Sequence, residues 1–501
     1  MKKFSISFIS IFLVFLLVFS ITAEAFGTSE ESPAGNRYMK TENLALKVKN
    51  NKMTDDNDNT TYRFSKKNGG EVVFDLGADF QFNNIILKEK GLNVKEFSLS
   101  YSLDGQNYVE FYHNDKIEFH RLCNFEPVTA RYIKFTILKS DKAPKIREFE
   151  IYNEMPKKND DFRVTAYSTV GGSVYEIIDD KNIAEDEKDF KIQELLHKDY
   201  FETVTDYIQI GNVSFNEYGE VSTVGWDNIE RDEDKYYGRM MKNIHTVLDD
   251  TDTNLVVTIL NPTGENGNLK VMKSITENKD TLISNMISFA NKYKIDGIDL
   301  DWEFPLSQKE FDAYNVFLQE LKARMDKEMW NGTESTLSIA VATWALKYTQ
   351  ETIDCLDYVN VMGYDILDQD GYHSSFFSSC VQAAKYIESQ GFSKEQIVIG
   401  FPFYGTYVNR NMEQYLYKEI PYEEITPFNN FYTMKHRETG EDRYSYFNSQ
   451  AIIRDKTAYS YLNGYGGVMI FSLYCDLPAN DEKSLIKAIK SYLEEVWKWI
   501  K

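Results

Sequence analysis

Asp296-Gly297-Ile298-Asp299-Leu300-Asp301-Trp302-Glu303-Phe304-Pro305 is the stretch that decides the fold. Residues 295–304 read as a strand, in which successive side chains point to opposite faces. Asp299, Asp301 and Glu303 then share one face, and Ile298, Leu300 and Trp302 share the other. The apolar set suits packing against helices. Three acids on an enclosed face are costly unless protons or hydrogen bonds are shared among them. Such sharing drives the individual pKa values apart, so that a protonated acid can stand beside ionised partners. Alternation by itself fits a solvated acidic face equally well, so the choice depends on the neighbouring segments.

Those segments alternate strand and helix. Strand-like stretches begin near residues 162, 207, 254, 295, 336, 358, 397 and 466, and residues 281–294 and 308–327 carry helical spacing between them. Eight strands over roughly 350 residues of β/α alternation predict an α/β TIM (β/α)8 barrel. The rival is a doubly wound sheet, which is weakened by the lack of a Gly-rich phosphate loop after the first strand. In a barrel the three acids face inward near the carboxyl ends of the strands, where such folds do chemistry.

Upstream, residues 40–153 show short alternating strands between turns. Examples are Phe97-Ser98-Leu99-Ser100-Tyr101-Ser102, followed by the turn Leu103-Asp104-Gly105, and Arg131-Tyr132-Ile133-Lys134-Phe135. No helical period runs through them, and an all-β sandwich is expected. Residues 154–161 are polar, contain Pro156, and read as a linker; the barrel is placed at 162–496. At the start, Lys2 and Lys3 precede an apolar run ending in Ala23-Glu24-Ala25. This is read as a signal peptide over 1–25, cleaved before Phe26, and predicts a secreted, extracellular protein. An uncleaved anchor is the alternative there, and no later segment is long and apolar enough to span a membrane.

The net charge is −22 over 501 residues. The signal segment carries +1 and residues 26–153 balance 19 basic against 19 acidic, leaving −23 on the remainder. That excess argues against a nucleic-acid partner and favours an uncharged ligand. Cys123, Cys355, Cys380 and Cys475 match no zinc spacing and read as buried free thiols, with a Cys355–Cys380 bridge left open. The six His show no His-Glu-x-x-His spacing, so no catalytic metal or other cofactor for catalysis is expected.

The motifs together resemble glycoside hydrolase family 18, the chitinase and endo-β-N-acetylglucosaminidase family. The signature Asp-x-x-Asp-x-Asp-x-Glu is met by Asp296, Asp299, Asp301 and Glu303. Asp357-Tyr358-Val359-Asn360 leads into Met362-Gly363-Tyr364-Asp365. Gly400-Phe401-Pro402-Phe403-Tyr404-Gly405 and Gly466-Gly467-Val468-Met469 resemble the motifs of strands seven and eight. The resemblance implies substrate-assisted, retaining hydrolysis through an oxazolinium intermediate, outside the two-carboxylate scheme. Glu303 would be the acid and Asp301 would orient the substrate acetamido group. Asp299 would tune Asp301, and Tyr364 would hydrogen-bond the acetamido oxygen. Asp365, Met362, Phe471 and Tyr167 are assigned to substrate binding, Tyr167 by supporting the carboxylates, and Asp296 to a structural role.

Residues 40–153 are similar to the discoidin-like, coagulation-factor C-type family, a jelly-roll fold that includes carbohydrate-binding modules of family 32. The residues carrying this are Asp55-Asp56-Asn57-Asp58-Asn59-Thr60-Thr61-Tyr62, Tyr101-Ser102-Leu103-Asp104-Gly105, Arg131-Tyr132-Ile133-Lys134-Phe135 and the closing Glu148-Phe149-Glu150-Ile151-Tyr152. This implies sugar binding and a structural calcium, for which the Asp55–Asp58 loop has oxygen ligands of the right kind; a solvated turn is the alternative.

Two departures from the barrel family stand out. Thr258-Ile259-Leu260-Asn261 occupies strand three where Ser-x-Gly-Gly is usual, and Phe471 replaces a pocket-floor Trp. The segment between Gly405 and Gly466 looks short for a groove-deepening insertion, so a shallower, endo-acting cleft is expected. The expected partner is an N-acetylglucosamine-containing polysaccharide, chitin by default, cleaved by a monomeric enzyme. The alternatives are a glycoprotein or envelope glycan as substrate and, in another class, a non-catalytic glycan-binding protein.

Overall fold

The computed structural model describes residues 39–500, apart from 49–50, 119, 155, 225–230, 368–372, 375–376, 408–413 and 437–438. The expected signal peptide lies outside the described residues. Among those described, no helix is long and apolar enough to cross a membrane.

Eight parallel strands close into a barrel. They are Arg163–Ser168, Asp206–Gln209, Asn254–Leu260, Gly297–Asp301, Thr336–Val341, Tyr358–Val361, Ile397–Pro402 and Gly467–Phe471, called strands one to eight below. Each pairs with the next, and strand eight pairs with strand one, Phe471 opposite Tyr167. All eight predicted strands are present. The strand expected to begin near 207 is short, ending at Gln209, and Val213–Phe215 beyond it pairs with Val221–Thr223 as a hairpin. Strand four also ends at Asp301, so Glu303 lies just beyond the ladder rather than within it.

The alternation separates two kinds of packing. Ile298 and Leu300 pack outward into the large core shared with the helices. Inside the barrel a smaller cluster forms from Tyr167, Ile208, Val256, Tyr358, Val398 and Met469. Gly400 on strand seven is required by crowding, because a Cβ there would strike the Val361 carbonyl and come within 3.0 Å of the Tyr364 ring. The last helix, Leu485–Ile500, continues past the expected boundary at 496.

Residues 404–446 are more than a connection. Gln414–Leu416, Tyr404–Tyr407, Asp442–Tyr446 and Phe431–Lys435 form a four-stranded antiparallel sheet in that order. An inserted sheet therefore stands between strands seven and eight, where the sequence suggested too little chain for one. Its signal is weak because each strand has only three to five residues.

The N-terminal module is a six-stranded antiparallel sheet around its own apolar core. Two of its strands, Gly70–Glu89 and Arg121–Ser140, are each 20 residues long. Straight, each would span about 66 Å. Register shifts between Asp75 and Phe80 and between Phe82 and Asn84 let the paired strands bend, which forms the sandwich. The module does not hang on a free linker. Ile86, Leu122 and Tyr152 pack into the barrel's core cluster. Arg121, fully buried, lies 3.6 Å from Asp455 on the helix Gln450–Asn463, with Glu118 and Asp115 at 3.6 and 3.8 Å. Asp455 also accepts from Tyr112 Oη at 2.5 Å and from the Asn124 N–H at 2.8 Å. The connecting residues are tied too: Glu154 accepts from the Lys40 and Thr41 N–H groups, and Tyr461 Oη accepts from the Asn159 N–H.

Candidate active site

Strand register builds the centre of the site. Thr258, Asp299 and Ser338 sit side by side on strands three, four and five. All three point inward, so the two hydroxyls reach the carboxylate between them. Asp299 Oδ2 accepts from Thr258 Oγ1 at 2.8 Å and from Tyr167 Oη at 3.0 Å. Its Oδ1 accepts from Ser338 Oγ at 2.6 Å and from Asn360 Nδ2 at 3.4 Å. Asn360 also donates to Tyr167 Oη, and its own oxygen accepts from Thr165. Four donors favour the ionised form of Asp299, although its complete burial raises the carboxyl above the ordinary range.

Asp301, two residues on, has the opposite environment. Its Oδ1 is buried without a hydrogen-bond partner. Burial, then the charges of Glu303 and Asp299, push its carboxyl well above the usual range. Glu303 keeps an exposed face on the barrel mouth. Its dense surroundings and the nearby Asp365 carboxylate push it up to about 7. Asp365 is itself pushed up to about 6 by burial, partly offset by the Tyr404 hydroxyl facing it. Burial and neighbouring charge thus raise the proton affinity of Asp301 and Glu303 beside a hydrogen-bonded Asp299, and Glu303 is placed to donate a proton at the cleft surface.

Aromatic rings wall this cluster. Phe471 stacks on Tyr364 at 5.7 Å with the planes 24° apart and lies 5.7 Å from Tyr167. Tyr404, from the inserted sheet, closes on both Tyr364 and Phe471 at 6.3 and 6.4 Å. Burial and then the Asp301, Asp365, Glu303 and Asp299 charges hold the Tyr364 phenol well above its usual range, so it stays a donor. Phe304 meets Trp344 edge-on at 5.1 Å.

The structure brings Tyr167, Asp299, Asp301, Glu303, Tyr364, Asp365 and Phe471 to one place. Met362 stands at the same strand end, half-buried, with its N–H given to the Val341 carbonyl. Asp296 is at the opposite end of strand four, where its Oδ2 accepts from the Leu255 N–H at 2.8 Å and ties strand four to strand three. Ser338, Asn360 and Tyr404 also belong to the site and were not assigned to it from the sequence. Inward alternation on strands five and six marks the first two. Tyr404 carries no such signal, because it arrives from the inserted sheet. The departure at strand three leaves the site intact at Thr258, while Leu260 lies opposite Asp301.

All four cysteines are free, three buried and Cys355 half-buried, so no Cys355–Cys380 bridge forms. Among the described residues no group of three or more His, Cys, Asp or Glu side chains converges to hold a metal. The calcium expected in the sandwich has a partial fit. Glu148 is pushed up to about 8 by burial and by the Asp55 carboxylate against it, and its Oε2 is buried without a partner. Asp58, by contrast, is committed to Lys88 at 3.0 Å.

Comparison with known proteins agrees with this geometry. Residues 184–476, more than half of the chain, match the family described as glycosyl hydrolases family 18. Residues 32–149 match the F5/8 type C domain. A "Probable endochitinase" of Caenorhabditis elegans is 25% identical over 159 residues, covering 27% of this chain and 25% of that protein. An endochitinase of Manduca sexta is 29% identical over 149 residues, 25% of this chain and 27% of that one. The chain thus spans about a quarter of the length of these relatives. Catalytic domain 2 of the Ostrinia furnacalis Group II chitinase superposes with a TM-score of 0.50 at 15% identity, over 67% of this chain and 97% of that one, which shows the shared fold.

Proposed function

The chain belongs to glycosyl hydrolase family 18, and from that premise we propose that it is a glycosidase that cleaves β-1,4 linkages of N-acetylglucosamine-containing glycans, of the chitin type first. The observation that carries this reading is the carboxylate ladder. Asp299 is held by four donors, Asp301 is enclosed, and Glu303 is protonated to about neutral pH at an aromatic-walled mouth. Glu303 gives its proton to the glycosidic oxygen as the C1–O bond breaks. The acetamido oxygen of the same sugar forms a new bond to C1, giving an oxazolinium ion. Asp301 faces the acetamido nitrogen and stabilises the positive charge. Water then attacks C1, its proton returns to Glu303, and the acetamido group is released with configuration retained. Tyr364 donates to the acetamido oxygen, and Phe471 offers a flat apolar face to the ring.

The sandwich supports a second reading of the substrate. A module of the F5/8 type C kind docked on the barrel suits a branched glycan such as the N-glycan core. We place the protein outside the cell, as a monomer, with calcium held in the sandwich by Asp55 and Glu148. Offering chitin oligosaccharides and an N-glycosylated protein side by side, with products identified by mass, separates the two substrates. Release of intact N-glycans with little oligosaccharide cleavage overturns the first. Glu303→Gln that still cleaves overturns the mechanism, and a wild-type protein that binds both and cleaves neither is a glycan-binding protein.

A further inference from the structure

Glu303 stands just outside strand four, so the ladder that fixes Asp299 and Asp301 does not fix it. Something else must hold the acid in place. The peptide on either side of it is gripped by one side chain from another element. Asn268, in the first turn of the helix Gly267–Glu277 that follows strand three, makes three side-chain hydrogen bonds. Its Oδ1 accepts from Trp302 Nε1 at 3.1 Å. Its Nδ2 donates to the Phe304 carbonyl at 3.0 Å and to Glu310 Oε1 at 3.1 Å. The orientation of the amide is unambiguous. An indole nitrogen can only donate, and a carbonyl and a carboxylate can only accept, so the flipped amide would lose every bond.

Glu310 extends the grip. Its Oε2 accepts from the Leu306 N–H at 2.8 Å and the Ser307 N–H at 2.7 Å, which caps the helix Gln308–Glu328. Trp302 is buried edge-on against Tyr314 at 5.1 Å. Residues 302, 304, 306 and 307 are all anchored through Asn268 or its partner Glu310, and the Glu303 side chain between the first two stays exposed at the mouth. We propose that Asn268 is a positioning residue for the proton donor: it holds Glu303 at the glycosidic oxygen by clamping the residues on both sides of it. The proposal rests on the reading of Glu303 as the acid. Asn268 itself touches the peptide frame and not the sugar, so it acts through Glu303.

The distinguishing measurement is a split between kcat and KM in Asn268→Ala and Asn268→Asp on a soluble N-acetylglucosamine oligomer. A misplacement of about 1 Å costs roughly 100-fold in rate. The expected result is therefore kcat lowered about 10- to 100-fold with KM within about two-fold. Asn268→Asp keeps the acceptor for Trp302 but faces the Phe304 carbonyl and Glu310 with a carboxylate, so it should be no better than Asn268→Ala. A kcat within about two-fold of wild type in both variants, whatever their melting temperature, overturns the proposal. A second readout is independent of what the enzyme cleaves. The Trp302 indole proton, assigned by its loss in Trp302→Phe, should exchange with solvent faster in Asn268→Ala than in wild type. Equal exchange overturns the clamp itself. Failure of wild type to cleave any oligomer, with the exchange difference present, faults the reading of function and leaves the clamp standing.

Discussion

As the proposed proton donor, with its carboxyl raised to about 7, Glu303 sets a definite pH response. Glu303 must be protonated to act, so the competent form dominates below its pKa and is lost above it. At about pH 6 roughly nine-tenths of the enzyme carries the proton, and at about pH 8 roughly one-tenth does, so kcat/KM should fall about tenfold between them. An ordinary glutamate, near 4.3, would already have lost its proton across that whole range. The neighbouring Asp365 supplies a perturbation of known sign. Its charge raises Glu303, and because burial holds Asp365 itself at about 6, that charge is present as Glu303 titrates. Asp365→Asn removes the repulsion and should move the alkaline limb to lower pH, by up to about one unit, equivalent to about 1.4 kcal/mol. The assay is initial rate on a soluble N-acetylglucosamine oligomer far below KM, from about pH 4 to pH 9. Asp365 also stands in the proposed sugar pocket, so the position of the limb, and not the height of the profile, is the quantity read. Activity level to about pH 9 in wild type, or a limb shifted upward in Asp365→Asn, refutes the assignment of the acid.

Three further outcomes follow from the geometry. Asp455→Ala leaves Arg121 buried at the sandwich–barrel contact without its nearest helix partner, and should destabilise the protein by about 3–5 kcal/mol; denaturant unfolding should show sandwich and barrel melting in one transition, and two separate transitions would contradict their docking as a unit. Phe471→Ala removes the ring stacked on Tyr364 and should raise KM for oligomers by roughly tenfold, about 1.4 kcal/mol, a size reasonable for one aromatic contact, whereas Phe471→Trp should lower KM; steady-state kinetics on a length series reads both. Chelation should lower the melting temperature and added calcium should restore it, with Glu148→Gln insensitive to both, because Glu148 lies against Asp55 and its buried Oε2 has no partner; an unchanged melting curve removes calcium from the account.

Much of the site is visible in the chain because a strand has period two. That Asp299 and Asp301 share one face and Ile298 and Leu300 the other follows from spacing alone; that the acids face inward follows once the eight strands are read as a barrel. Thr258, Ser338 and Asn360 each follow the same rule on their own strands, but their convergence on one carboxylate depends on the stagger between strands, which no single strand records. Trp302 and Glu303 illustrate the limit. Alternation predicts that they continue the strand, but the ladder stops at Asp301, and Asn268, in a helix some 35 residues earlier in the chain, takes over the work of holding them. Tyr404 and the inserted sheet were hidden for a related reason. Strands of three to five residues carry too few alternations to stand out, and they exist because they pair with each other.

The sequence by itself determined the order of the strands, the inward acids and the family, since these are written in local periodicity and short motifs. The tertiary structure alone decided how proton affinity differs among the acids. Asp299, Asp301 and Glu303 are similar carboxyls on one short stretch; four donors reach the first, none reaches the buried oxygen of the second, and burial followed by a neighbouring carboxylate raises the third. Proton affinity depends on solvent exclusion and on nearby charge, and both are contributed by residues distant in the chain.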